Sequence, residues 1–305
     1  NIPQKEVHPG QLVKVCIKAV NRHVIFLGKQ QFQIGVAYLN TPGNEKEMLQ
    51  CDGVTEKVQQ TMVEFSPKHC GIAQIDIEKV FLQDYLGLIG TQKNFRGSCQ
   101  LAVLPEPVLS TRVRTGMEKQ QEYRYSAVAD DDSDILDLRA FRPGDNLNHI
   151  HWNLSLRTDD LIVRQYGEQI DVKKVILVDL SILNTAQYRS RMDAVYTAVA
   201  SIANLYVENE VNTLILAWNG QKQSAEYLEV HDRTELNRAM IRLMQIPCSS
   251  RAGEHAAAVY LKDIEAQGQQ ALFVTAGSYE NNKVRIVNVE KIQLQELIDE
   301  LWEKI

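Results

Sequence analysis

No run of apolar residues in this 305-residue chain approaches the roughly 18 needed to cross a bilayer as a helix. The opening NIPQKEVHPG has no signal-peptide pattern either. A chain that starts at Asn1 rather than Met is expected to have had residues upstream. Compositional bias is absent, since 44% hydrophobic and 24% charged residues are ordinary for a soluble protein. The 33 Lys and Arg residues are spread along the chain against 39 Asp and Glu, for a net charge of −6. No basic face is concentrated enough to suggest a nucleic-acid partner. The five cysteines (Cys16, Cys51, Cys70, Cys99 and Cys248) are odd in number, widely spaced and without a Cys-x-x-Cys pair. That points away from zinc and redox dithiols, and toward reduced, mostly buried thiols in a cytosolic compartment. Gly-x-Ser-x-Gly, Gly-x-x-x-x-Gly-Lys-Ser/Thr and Gly-x-Gly-x-x-Gly are all missing, so hydrolase chemistry and nucleotide binding find no support and no catalytic residue is assigned.

What is present reads as a multidomain protein, as the length suggests. From Gln11 to Pro105 apolar and polar residues alternate: Val13, Val15, Ile17 and Ala19 against Lys14 and Lys18, then Phe32, Ile34, Val36 and Tyr38 against Gln31 and Gln33. The runs Gln60 to Phe65, Gly71 to Phe81 and Ser98 to Leu104 are also rich in β-branched residues, with turn signals at Asn40–Gly43, Asp52-Gly53 and Ser66-Pro67. Period-two patterning without intervening helices predicts an antiparallel β-sandwich over residues 1–105. Residues 106–170 are expected to hold a connection and a central motif. Pro105 to Asp134 is polar and carries the acidic run Asp130-Asp131-Asp132-Ser133-Asp134, which reads as an extended, solvated link. The ligand spacing of a calcium loop is absent there.

Over residues 171–305 the pattern changes. Lys174 to Ser181, KVILVDLS, reads as a buried strand ending in Asp-x-Ser. Met192, Val195, Tyr196, Val199, Ile202, Ala203 and Tyr206 then share one helical face. Thr213 to Trp218 and the run toward Val230 flank Asn219-Gly220, a hairpin signal. Asp232 and Glu235 suit a capping box, Pro247 ends that helix, and a further helix runs from about Glu254 to Gln267 with Gly268 at its C′ position. Strands Ala271 to Thr275 and Val284 to Val289 precede a last helix carrying Leu294, Leu297, Ile298, Leu301, Trp302 and Ile305. This order predicts an α/β domain with a mostly parallel central sheet and one antiparallel strand. In such sheets ligands bind beyond the carboxyl ends of the strands, where Asp179 and Ser181 fall.

Between the two domains lies RAFRPGDNLNHIHWNLSLRTDDLIVRQY. It resembles the hallmark of the bacterial domain of unknown function 58 family, approximately Arg-x-Tyr-x-Pro-Gly-Asp-x-x-x-x-Ile-x-Trp-(polar)-x-Ser-Ala-Arg followed by a Leu-x-Val-Arg/Lys strand. Arg139, Pro143, Gly144, Asp145, Ile150, Trp152, Ser155, Arg157, Leu161, Val163 and Arg164 match, while Phe141 replaces the usual Tyr and Leu156 the usual Ala. Gln83-Asp84-Tyr85-Leu86-Gly87-Leu88 is similar to the segment that ends the family's β-domain, with Tyr85 for Pro. The resemblance implies an immunoglobulin-like sandwich, a C-terminal domain similar to von Willebrand factor A, and a pair of transmembrane helices outside this chain that would hold it at the bacterial membrane, facing the cytoplasm. It also implies an association with MoxR-type AAA+ ATPases and brings no established enzymatic activity.

The von Willebrand factor A resemblance raises a metal-ion-dependent adhesion site. Its first loop would need Asp-x-Ser-x-Ser and here reads Asp179-Leu180-Ser181-Ile182-Leu183; the carboxylate expected on a third loop is replaced by Thr275-Ala276-Gly277. One carboxylate and one hydroxyl leave little to hold Mg2+, so Asp179 and Ser181 are expected to cap the following helix and satisfy loop amides. His149 and His151 would share one face of a strand near Asp145, yet a zinc site needs a third ligand and a second shell. Pro143-Gly144 suits the centre of a type II turn, Asp145 the amides that follow, and Trp152 a place beneath the turn, with Arg139 and Arg157 pairing with Asp145 or the acidic loop. Arg139, Arg142, Pro143, Gly144, Asp145, His151, Trp152, Arg157 and Arg164 are therefore read as a rigid junction or a partner-docking surface. The expected function is a non-enzymatic adaptor that contacts a MoxR-type AAA+ ATPase or its client; the alternative is a metal-dependent binder or enzyme using Asp179, Ser181 and His151.

Overall fold

The computed structural model describes residues 6–20, 27–39, 47–54, 58–111, 123–125, 134–143, 145–158, 160–169, 173–181, 187–263, 271–279 and 284–304. The chain divides into two compact units, residues 1–112 together with 173–305, and residues 113–172.

The first unit opens with strands β1 (Glu6–Val7), β2 (Val13–Val20), β3 (Leu27–Tyr38), β4 (Glu47–Val54), β5 (Val58–Phe65), β6 (Gly71–Asp84) and β7 (Gly90–Val103). One sheet has the order β1-β7-β6-β3-β4, and β2 pairs with β5 in a second. All these ladders are antiparallel except β1 with β7. The alternation explains the sandwich: Val13, Val15, Ile17, Val63 and Phe65 of the small sheet share one core with Phe32, Ile34, Val36, Ile75 and Leu101 of the large one. Each such side chain contributes about 1.5–3 kcal/mol when fully buried.

Two local readings change here. Asp52-Gly53, expected as a turn, lies inside β4 opposite Gln31 and Gln30. Cross-strand partners hold Asp52 there: its carboxylate accepts from Gln31 Nε2 at 3.2 Å and faces Lys29 Nζ at 3.3 Å. The segment Gln83 to Leu88 does not end the β-region; it is the tip of the β6–β7 hairpin. The turn signal at 40–43 falls outside the described residues.

In the second unit β8 (Tyr123–Tyr125), β9 (Asp134–Ala140) and β10 (Ile162–Gln169) form an antiparallel sheet in the order β8-β10-β9. The connection from β9 to β10 contains a 3-10 turn, Leu147–His149, and helix α1 (Trp152–Thr158). The acidic run through Ser133 lies outside the described residues, and Asp134 begins β9.

The first unit resumes with β11 (Lys174–Val178), α2 (Tyr188–Glu208), β12 (Thr213–Asn219), β13 (Ser224–Val230), α3 (Arg233–Gln245), α4 (Ala252–Asp263), β14 (Ala271–Thr275), β15 (Arg285–Asn288) and α5 (Leu294–Trp302). The sheet order is β13-β12-β11-β14-β15, parallel throughout except for β12 with β13. Successive residues of β11 serve opposite faces. Ile176 and Val178 join a core with α2, α3 and α5, while Val175 and Leu177 join Ala256 and Tyr260 of α4 on the other side.

The core of α2, α3 and α5 also takes in Ile72, Ala102 and Leu104. His69 reaches Asp193 of α2 at 2.7 Å between Nδ1 and Oδ2. The connection after Pro105, expected to be solvated, is tied down through Thr111. The Val108 amide donates to Ser201 Oγ at 2.9 Å, and Ser110 Oγ, the Thr111 amide and Thr111 Oγ1 all donate to the Asp299 carboxylate.

Capping follows the sequence closely at α3, where Asp232 Oδ1 accepts the Glu235 amide at 2.7 Å while Glu235 accepts the His231 amide. The β12–β13 hairpin also forms, but Asn219-Gly220 is not its two-residue turn. Asn219 pairs with Ser224 across a four-residue loop whose left-handed residue is Gln223, at φ 52°. Asn219 Oδ1 instead accepts the Gln221 and Lys222 amides. Gly220 is needed for space, because a Cβ there would lie 2.5 Å from the Cβ of Ser249. Gly268 lies outside the described residues, so the end of α4 it was expected to cap is not seen. All five cysteines are thiols, half-buried rather than buried. Among the described residues no helix is long and apolar enough to cross a membrane.

Candidate functional site

Numbered from its first strand, the parallel-dominated sheet runs 3-2-1-4-5, so its order reverses between β11 and β14. The crevice beyond the carboxyl ends of those two strands is where doubly wound sheets place ligands. Asp179 follows β11 and Thr275 ends β14, and the Thr275 hydroxyl donates to Asp179 Oδ2 at 2.6 Å. The other carboxylate oxygen accepts the Ser181 amide at 2.9 Å. Ser181 bridges to Ser249, and its hydroxyl accepts the Gly253 amide at 3.1 Å. Gly253 presses against the carboxylate so closely that a Cβ there would meet Asp179 Oδ1 at 2.4 Å. Thr275 Oγ1 also accepts the Gly277 amide at 2.9 Å.

Sequence reasoning named Asp179 and Ser181 for this place and set Thr275-Ala276-Gly277 and the stretch Cys248 to Glu254 on facing loops, but did not assign the contacts that close it. Thr275 at the end of β14 and Gly253 at the start of α4 close it, from far along the chain. The visible signal was an apolar strand ending in Thr-x-Gly. The Asp179 carboxylate accepts the amide of Ser181 and the Ser181 hydroxyl accepts an amide of α4, while residues 182–186, which lead to the helix the pair was expected to cap, lie outside the described residues. A divalent ion such as Mg2+ takes about six oxygens, several of them usually from water. The protein oxygens that converge here are one carboxylate, which accepts the Ser181 amide and the Thr275 hydroxyl, and the hydroxyls of Ser181 and Thr275. Among the described residues no group of three or more His, Cys, Asp or Glu side chains converges on a point.

The unit of residues 113–172 holds the other named residues. Arg139 on β9 grips Asp145 with a two-pronged contact, Nη1 to Oδ2 and Nη2 to Oδ1, both 2.7 Å. Asp145 also accepts the Arg142 amide at 2.7 Å and returns its own amide to the Arg142 carbonyl at 3.0 Å. The turn from Arg142 to Asp145 is thereby closed, with Asp145 serving an amide that precedes it rather than those that follow. The Arg139 guanidinium, helped by that amide, holds the Asp145 carboxyl at about 2. Pro143 is exposed on this turn, and Gly144 lies outside the described residues.

His149 and His151 do not share a strand face. His149 ends the 3-10 turn, and His151 stands just before α1, where its Nδ1 accepts the Leu154 amide at 3.3 Å. Two residues in different local geometries do not make the paired ligands a strand would have offered. Ser155 is buried on α1 and accepts the Ile162 amide at 2.9 Å, which fastens the helix to the start of β10. Trp152 is not beneath the turn. It and Leu156, one helical turn apart, are 57% and 78% exposed, and Leu147 on the 3-10 turn is 63% exposed. Arg142 and Arg157 are exposed as well, and Arg164 is half-buried on β10.

Burial pushes the Cys70 thiol up to about 12, with Asp193 adding to the rise, and burial raises Cys51, Cys99 and Cys248 too.

Residues 137–284 match the family described as "Protein of unknown function DUF58". No curated protein matches the chain. Among solved structures, the CARDB domain of a Pyrococcus furiosus protein in complex with di-metal ions is 10% identical over 33% of this chain and 81% of its own, with a TM-score of 0.22. A putative glycoside hydrolase from Bacteroides vulgatus is 9% identical over 89% of this chain, with a TM-score of 0.19. A cycloisomaltooligosaccharide glucanotransferase of a Paenibacillus species is 12% identical over 92%, with a TM-score of 0.21. The chain spans 41% and 38% of those two enzymes. Scores at this level carry no argument about fold or activity.

Proposed function

We propose that this protein, a member of the domain of unknown function 58 family through residues 137–284, is a non-enzymatic adaptor that binds a protein partner through the unit of residues 113–172. The observation that carries the reading is the contrast within that unit. The Arg139–Asp145 contact and the Ser155 bond to β10 make a rigid frame, and on it Trp152 and Leu156 stand in solvent with Arg142 and Arg157. Exposed aromatic and arginine side chains on a stiff support are the usual energetic centres of an interface. The partner suggested by the family resemblance is a MoxR-type AAA+ ATPase or its client, with the full-length protein tethered to the bacterial membrane and this portion facing the cytoplasm.

We read the first unit as an immunoglobulin-like sandwich joined to a von Willebrand factor A-like domain. The 3-2-1-4-5 order with an antiparallel third strand supports that, as does the Asp-x-Ser loop at the switch point. The closed hydrogen bonding of Asp179 favours a structural role for the loop over a metal-dependent one.

A pull-down from the source cell with the intact chain, beside a Trp152→Ala/Leu156→Ala variant, tests the adaptor reading. The wild type is expected to recover the ATPase or a client and the variant to lose it; recovery of neither by the wild type overturns the reading. Calorimetric titration with Mg2+, Mn2+ and Zn2+ tests the metal-dependent alternative, which submillimolar binding abolished by Asp179→Ala would establish.

A further inference from the structure

The far end of the β6–β7 hairpin holds large apolar side chains in open solvent. Tyr85, Leu86, Leu88 and Ile89 are 82%, 74%, 79% and 72% exposed. The turn beneath them is well made. The Ile89 amide donates to Asp84 Oδ1 at 2.8 Å, the Asp84 amide to the Ile89 carbonyl at 2.9 Å, and the Gly87 amide to the Asp84 carbonyl at 3.1 Å. Gln83 Nε2 donates to the Gly87 carbonyl at 3.1 Å, and Gly87 supplies the left-handed residue at φ +73°. Backbone polarity is thus satisfied inside the loop, while its side chains are the apolar kind that surface turns usually avoid. An unpaired amide is what makes irregular backbone costly in an apolar medium, and this turn has paired several of its own.

Basic side chains stand behind the tip on all three strands that reach it. Lys29 lies near the start of β3, Lys93 on β7 opposite Val80, and Lys79 on β6 opposite Asn94, all exposed. Lys29 faces Asp52, whereas Lys79 and Lys93 have no ion pair among the described residues. The Asp84 carboxylate at the turn is engaged with the Ile89 amide. Lys93 is three residues behind Gly90, about 10 Å at the rise of a strand. Interfacial segments bury their apolar face roughly 5–10 Å into the headgroup and acyl boundary. A tip sunk to that depth would bring Lys93 to the level of the lipid phosphates.

We propose that the β6–β7 tip is a membrane-docking wedge that inserts Tyr85, Leu86, Leu88 and Ile89 into the interfacial zone of an anionic bilayer, with Lys93 and Lys79 on its headgroups. A convex point with cations set back at similar depths suits a flat anionic surface better than a concave protein site. This contact is separate from the adaptor surface on α1, and either can hold without the other.

Vesicle co-sedimentation tests it, using the chain with phosphatidylcholine vesicles with and without phosphatidylglycerol. Binding is expected to need the anionic lipid, to weaken with salt, to fall about tenfold or more in Leu86→Ser/Leu88→Ser, and to fall less in Lys93→Glu. Unchanged thermal unfolding of each variant shows that it is folded. In a folded Leu88→Trp variant, a blue shift in emission on adding anionic vesicles reports insertion directly. No binding by the folded wild type, equal binding by the double serine variant, or no Leu88→Trp shift overturns the proposal. So does a concentration-dependent dimer in vesicle-free solution that the serine variant abolishes, since the tip would then serve a protein contact.

Discussion

Thr275 Oγ1 lies 2.6 Å from Asp179 Oδ2 across the point where the strand order of the α/β sheet reverses. A neutral hydroxyl thus answers the carboxylate at the position where a doubly wound sheet offers its crevice. Thr275 is fully buried, and its oxygen both donates to Asp179 and accepts the Gly277 amide. Thr275→Val keeps the shape and removes both bonds, so it is expected to destabilise the fold by about 1–3 kcal/mol. Urea unfolding measures the loss, and Thr275→Ser should restore most of it.

Gly253→Ala tests the same place from the helix side. In an ordinary helix the change would stabilise by about 1 kcal/mol. Here the added Cβ meets Asp179 Oδ1 at 2.4 Å, so a net loss of stability is expected. In an Asp179→Ala background the penalty should shrink or reverse, and the double-mutant cycle reads that coupling.

The Arg139–Asp145 contact gives a pH prediction. The Asp145 carboxyl titrates at about 2 in the folded chain, against an ordinary 3.8. As pH falls, the unfolded chain therefore takes up this proton first. The stability the contact contributes is present in full above about pH 4 and disappears as pH drops through about 2. Protection of the Arg142 amide against exchange, relative to its intrinsic rate, should fall over that window, since Asp145 is its acceptor. In Arg139→Ala the Asp145 titration, followed by carboxyl NMR, should move up toward its ordinary range.

Trp152 and Leu156 should separate stability from binding. Both side chains are largely in solvent, so Trp152→Ala and Leu156→Ala are each expected to change unfolding free energy by no more than about 0.5 kcal/mol. A larger loss in chemical denaturation would mean that these side chains pack within the protein, against the proposed docking role.

Asp193 holds His69 and the Cys70 amide, at 2.7 and 2.8 Å, joining the sandwich to α2. Burial raises its carboxyl despite the His69 contact. Asp193→Ala leaves the amide unpartnered and should cost about 1–3 kcal/mol in thermal or urea unfolding. Asp193→Asn, which keeps an acceptor without the charge, should lose much less.

Much of this architecture is legible along the chain, because period and capping depend on near neighbours. Val13, Val15 and Ile17 alternate into the sandwich core, Met192 to Tyr206 line one face of α2, and Asp232 caps α3 where its spacing to Glu235 says it should. Asp52-Gly53 misled because a turn-forming pair can also sit in a ladder once cross-strand partners hold it. Trp152 misled for a related reason: its large apolar ring suggested burial, but α1 fastens itself through Ser155 and leaves the indole outside.

Strand, helix and cap patterns were already written in the order of residues, and so was the Asp-x-Ser at the end of β11. Which atoms meet that carboxylate was not, since Thr275 is 96 residues away and arrives only because β14 pairs with β11. The exposed hairpin tip and the outward face of α1 are likewise products of packing. A side chain's pattern tells which face it prefers, but only the assembled sheets and helices decide whether anything is there to cover it.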